Sequence, residues 1–125
     1  MNLRNQEHKT LLLIKENKTR MLQDVVVAVK CYLNALPAFG IHACRAVLFG
    51  SYVRGKADEY SDIDLVVIAP EFDGLREISL VKALWRATVT DNRIEPIPCG
   101  EQEWETDGSR PILEIARREG VVITV

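Results

Sequence analysis

Gly50 and Ser51 are followed, after ten intervening residues, by Asp62, and Asp64 follows after one more residue. A Gly-Ser pair at a turn can offer free backbone N–H groups and a hydroxyl to an anion. Glycine also lets that anion approach the main chain closely. Two aspartates one residue apart can hold a hard divalent cation such as Mg²⁺ or Mn²⁺. Each signal has a plain alternative: Gly-Ser is also an ordinary helix N-cap, and the aspartates can cap a turn or pair with Arg54 and Lys56. Together they place an anion cradle and a cation site within a short connection.

The flanking residues say how that connection is held. Arg45 to Phe49 is an apolar run that reads as a buried strand, and Ile63 to Ala69 reads as a second. Side chains alternate along a strand, so Asp62 and Asp64 share a face, roughly 7 Å apart at Cα. Val66 and Ile68 continue that face, while Ile63, Leu65 and Val67 line the other. A strand apolar on both faces is covered on both. Ser51 to Gly55 then forms a short helical turn, and Ala57 to Ser61 a polar loop.

Further elements follow from periodicity. Met21, Leu22, Val25, Val26, Val29, Leu33 and Leu36 recur at helical spacing from about Lys18, and Pro37 with Gly40 ends that helix. Residues 1–19 form an N-terminal extension, expected to be helical, ahead of a domain over 20–125. Pro70 to Gly74 breaks the chain. Leu75 to Thr88 predicts an amphipathic helix with Ile78, Val81, Leu84, Trp85 and Thr88 inward. Arg93 to Ile97 predicts a strand, confined to an edge because Pro96 cannot donate to a ladder. Gly100 to Gly108 reads as a loop, with Trp104 at the edge of the core. Ser109 is expected to cap a last helix with Pro111 in its first turn, Gly120 ends it, and Val121 to Val125 is a final strand. The expected fold class is α+β, a two-layer arrangement of a small mixed sheet with helices packed mainly on one face.

Composition limits the function classes. The chain of 125 residues suits one compact domain. With 16 basic against 18 acidic residues it shows no basic surplus for gripping a nucleic-acid backbone. Arg117 and Arg118 are expected on a solvated helix face. No run approaches 18 consecutive apolar residues, so no membrane span is expected, and a cytoplasmic location is the default. Cys31, Cys44 and Cys99 lack zinc spacing and are expected as buried, reduced thiols. His8 and His42 have no ligand partner at useful spacing.

The stretch from Leu48-Phe49-Gly50-Ser51 through Asp62-Ile63-Asp64-Leu65 resembles the signature of the DNA polymerase beta-like nucleotidyltransferase superfamily. It is most similar to the minimal nucleotidyltransferases. Tyr52 to Ala57 and Ser61 fit the same pattern. The resemblance implies a nucleoside triphosphate substrate, ATP being the expected one, with Mg²⁺ or Mn²⁺ as cofactor. An acceptor hydroxyl would take a nucleoside monophosphate, and pyrophosphate would leave. By position, Gly50 and Ser51 would hold the terminal phosphates, Arg54 and Lys56 would neutralise their charge, and Asp62 and Asp64 would bind metal.

The family's third carboxylate sits on a later strand and is commonly aspartate. Here Glu95 is the candidate for the metal and for the acceptor's proton, with Asp91 in reserve. The resemblance also suggests a separate acceptor-side partner. A HEPN-family toxin with this chain as its antitoxin is one form, and a homodimer another. Two other readings stay open: a partner- or nucleotide-binding module with weak turnover, and a dimeric transferase acting on aminoglycoside-type hydroxyls.

Overall fold

The computed structural model describes residues 3–74 and 76–125, with side chains from Glu7 onward. A single helix α1 (Leu3–Ala35) opens the chain, so the extension and the first domain helix are continuous. It ends where Pro37 enters a 3-10 turn over Leu36–Phe39 and Gly40 adopts φ +84°. Strand β1 (Arg45–Phe49), helical turn α2 (Ser51–Arg54) and strand β2 (Ile63–Ile68) follow as expected. Helix α3 (Ile78–Arg86), strand β3 (Ile94–Cys99), helices α4 (Glu101–Thr106) and α5 (Pro111–Glu119), and strand β4 (Val121–Thr124) complete the chain. Leu75, expected to open the third helix, lies outside the described residues.

The sheet order is β3-β2-β1-β4. β1 runs antiparallel to both β2 and β4, and β2 runs parallel to β3. Pro96 therefore sits on an edge strand, where its missing donor costs no ladder bond. α1 and α3 cover one face and build the larger core: Val25, Val29, Tyr32 and Leu33 of α1 meet Leu48, Ile63, Leu65 and Val67 of the sheet. α5, with Trp104 of α4, covers a smaller core on the other face, around Val47, Phe49, Val66 and Ile68. Leu65 to Ile68 are fully buried, which follows from having helices on both sides.

The stretch Glu7–Phe39 contains the one helix, among the described residues, with the length and apolarity to cross a bilayer. Its most apolar half contributes one buried stripe to the domain's core, with Val25, Val29 and Leu36 at most 1% exposed.

Five expectations are corrected by the structure. On α3 the buried residues are Ala83 and Leu84, followed by Ala87 just past its end. Ile78 is 72% exposed and Trp85 48%. Alanines at 83 and 87 let the helix approach its neighbours closely, which turns the large side chains outward. The Tyr32 hydroxyl fixes that approach by donating to the Leu84 carbonyl at 2.7 Å.

The loop expected over residues 100–108 is mostly α4, because its ends are capped from elsewhere. The Asp73 carboxylate accepts from the Gln102 and Glu103 N–H groups, and Glu103 accepts from the Gly100 N–H. At the other end Arg117 donates to the Glu103, Trp104 and Asp107 carbonyls and lies over the Trp104 ring at 4.8 Å. Arg117 is thus the clasp of α4 rather than a solvated charge.

The N-cap of α5 is Arg110, not Ser109, and it makes no side-chain cap bond. The Arg110 guanidinium instead joins Arg76 on Glu103. Burial works to raise the Glu103 carboxyl, but those two guanidiniums outweigh it and hold the group below the usual glutamate range. Of the cysteines only Cys99 is buried; Cys31 and Cys44 are exposed, and all three are free thiols.

Candidate active site at the acidic end of the sheet

β1 ends at Phe49, opposite Asp64 of β2 in the antiparallel register. Asp64 in turn lies beside Glu95 of β3 in the parallel register. Paired residues of adjacent strands share a face. Asp64 and Glu95 therefore project from the sheet face that α5 covers, one step beyond Val66 and Ile97. Asp62 precedes β2 on the exposed approach.

These carboxylates affect one another. Burial first, and then the Asp62 charge, raises the Asp64 carboxyl, while Arg54 pulls the other way. Glu95 is likewise raised by burial, then by the charges of Asp62 and Asp64. Three acids from two adjacent strands thus share one electrostatic neighbourhood. Among the described residues, no three acidic, imidazole or thiolate groups stand as a ready-made cation cage. The donor set nonetheless suits a hard cation, because a cation among crowded, partly desolvated carboxylates removes their mutual repulsion.

Asp91 does not join them. Its carboxylate accepts three hydrogen bonds from Arg93, through the backbone N–H and the guanidinium, and these hold it below its ordinary value. Arg93 also donates to the Tyr52 hydroxyl, which donates to the Asp58 carbonyl. That chain ties α2, the loop after it and the start of β3 together. It fixes where Glu95 begins relative to Gly50.

Gly50, at the turn into Ser51, lies against Asp64. Gly50 adopts φ +83°, ψ −151°, a conformation essentially reserved for glycine. A Cβ built there would lie 2.1 Å from Asp64 Oδ2. We expect Gly50→Ala to cost about 1–3 kcal/mol through backbone strain and to push the Asp64 carboxylate out of position. A denaturant melt that superposes on wild type would contradict this.

One residue missed in the sequence completes the site. Glu119, at the end of α5, accepts from the Gly50 N–H at 3.1 Å and from Arg54 Nη1 at 3.2 Å, both through Oε1. It adds to the upward push on Asp64. No spacing rule links residues 50 and 119; the turn into β4, which pairs with β1, brings them together. Lys56 is exposed, and only its backbone N–H, closing the turn onto the Ser51 carbonyl, ties it to this group.

Residues 43–103, which hold the Gly50 turn, Asp62, Asp64 and Glu95, match the family model of the nucleotidyltransferase domain. That match spans just under half of the chain and makes it similar to the minimal nucleotidyltransferases. Two candidate protein adenylyltransferases of Methanocaldococcus jannaschii share short stretches with it. One is 61% identical over 31 residues, 25% of this chain and 21% of the relative. The other is 48% identical over 33 residues, 26% of this chain and 33% of the relative. The match thus spans about a fifth and a third of those relatives. The crystal structure of a candidate nucleotidyltransferase from Sulfolobus solfataricus superposes with a TM-score of 0.55 at 18% identity. That superposition covers 87% of this chain and 84% of the other, and it establishes the shared fold.

Proposed function

We propose that this protein transfers a nucleoside monophosphate, AMP from ATP, onto a hydroxyl of a partner protein. The observation that carries this reading is the gathering of Asp62, Asp64 and Glu95 beside the strained Gly50 turn. The choice of a protein acceptor is supported by the names of the two archaeal relatives. In this reading Gly50, Ser51 and Arg54 receive the terminal phosphates, and Lys56 adds charge from the rim. Asp62, Asp64 and Glu95 would hold Mg²⁺ or Mn²⁺, which supplies charge neutralisation on the phosphoryl oxygens. The acceptor oxygen attacks the α-phosphorus, and one P–O bond forms. The bond to the bridging oxygen breaks, and pyrophosphate carries away that electron pair. Glu95 takes the hydroxyl proton.

Glu119 occupies the donors that a phosphate needs, so it must leave the Gly50 amide when the triphosphate arrives. Glu119→Ala is expected to lower KM for ATP severalfold, since it removes both a competing acceptor and a like charge. A raised KM with intact folding would assign Glu119 a direct role in holding substrate.

The partner suggested by the resemblance is a HEPN-family protein that this chain would silence as an antitoxin in the cytoplasm. The direct test is transfer of label from α-labelled ATP to a co-purified partner, with Mg²⁺ or Mn²⁺ present. Label on the partner, lost on chelation, is the expected result. An intact complex that takes no label would overturn the reading. It would favour a binding module, for which Glu119 in the cradle is the supporting observation.

A further inference from the structure

The first half of α1 is not explained by the transferase domain. Every residue from Glu7 to Arg20 is exposed, and core contact begins at Met21. Leu11, Leu12, Leu13 and Ile14 are 58, 44, 59 and 45% exposed. A projecting helix of this length is marginal in water by itself, and four consecutive apolar residues at its middle seek cover.

The charges around them identify the cover. Glu7, Lys9, Glu16 and Lys18 are arranged so that reversing the segment exchanges acid for base. If residue i of one helix faces residue 25 minus i of another, Glu7 meets Lys18 and Leu11 meets Ile14, while Lys9, Leu12, Leu13 and Glu16 lie on the opposite side of the helix. Glu7, Leu11, Ile14 and Lys18 also follow four- and three-residue steps, so they form one stripe. Self-complementarity under reversal is what a twofold axis between Leu12 and Leu13 requires. A parallel pair would set Glu7 on Glu7 and Lys18 on Lys18. The free length matches as well: the helix start at Leu3 falls opposite Leu22, where the partner helix enters its own core.

We propose that two copies of this chain pair through antiparallel association of the α1 segments around Leu11 to Ile14. Opposite charges at both ends set the register, and the apolar middle supplies the contact. The two domains then sit at opposite ends of the paired helices.

Sedimentation of the full chain across a micromolar concentration series tests this. Wild type is expected to reach twice the chain mass at low salt. Glu7→Lys alone is expected to weaken the dimer about tenfold, since both symmetry-related pairs turn repulsive. The double variant Glu7→Lys with Lys18→Glu should restore it, and circular dichroism checks that each variant folds. A monomer at all concentrations would overturn the proposal and leave the helix to another protein or a lipid surface. A dimer indifferent to these charges would also overturn it, pointing instead to the open β4 edge, where Val122 is 52% exposed.

Discussion

Replacing Asp62 and Asp64 together by asparagine is expected to cut nucleotide transfer at least about a thousandfold, the scale of losing a charge-stabilising group. Folding should survive and even gain. Asp64 is raised by burial and by its neighbour's charge, so its ionised form is disfavoured in the folded chain. A carboxyl raised on folding contributes stability that is full below its unfolded pKa and is lost as pH climbs through the folded value. The melting temperature of the double variant should therefore equal wild type in acid and exceed it at neutral pH. Added Mg²⁺ should raise the melting temperature of wild type and leave the variant unmoved, since only wild type keeps the pair. Wild-type transfer rates in the variant would remove the cation assignment. A variant that melts lower at neutral pH would remove the electrostatic one.

The parts of this site that were legible in the sequence are local. Gly50 and Ser51 end one strand and Asp62 and Asp64 begin the next, so strand alternation and a short connection suffice to bring them together. Glu95 is named only through the family resemblance, which implies a third carboxylate on a later strand, and the parallel pairing of β3 with β2 sets it beside Asp64. The unreadable parts depend on contacts distant in sequence. Glu119 reaches Gly50 only through the pairing of β4 with β1. α4 exists because Asp73 and Arg117 cap it from other elements. The inward face of α3 departs from its apolar periodicity because close approach through Ala83 and Ala87 decides it.

The structure also separates the two acids considered for the third carboxylate, Glu95 first and Asp91 in reserve. Asp91 and Glu95 both precede or open β3, yet Asp91 is consumed by Arg93 and works as a brace. Its bonds hold the carboxylate ionised and turned toward its own strand's entry. Glu95 has the opposite character: exposed, facing Asp64 in the register, and raised by the acids around it.

Glu95→Gln is accordingly expected to reduce kcat by about 10²–10⁴-fold, the range for losing a positioned proton acceptor. KM for ATP should change little, because the Gly50 turn and Arg54, which would receive the phosphates, are untouched. The amide keeps the shape and length of the side chain, so the loss reports chemistry rather than packing. Glu95→Asp separates reach from charge. It restores the commoner residue type but draws the carboxylate back by one methylene. On a strand whose register is set by β2, that shortening is expected to leave activity between wild type and the glutamine variant. Stability should not fall in either case, since Glu95 is exposed and its ionised form is disfavoured by its neighbours. Unchanged turnover in Glu95→Gln, with folding intact, would make this glutamate a surface charge of the edge strand. The proton would then have to leave through Asp62 or Asp64, the acids whose charges act on Glu95.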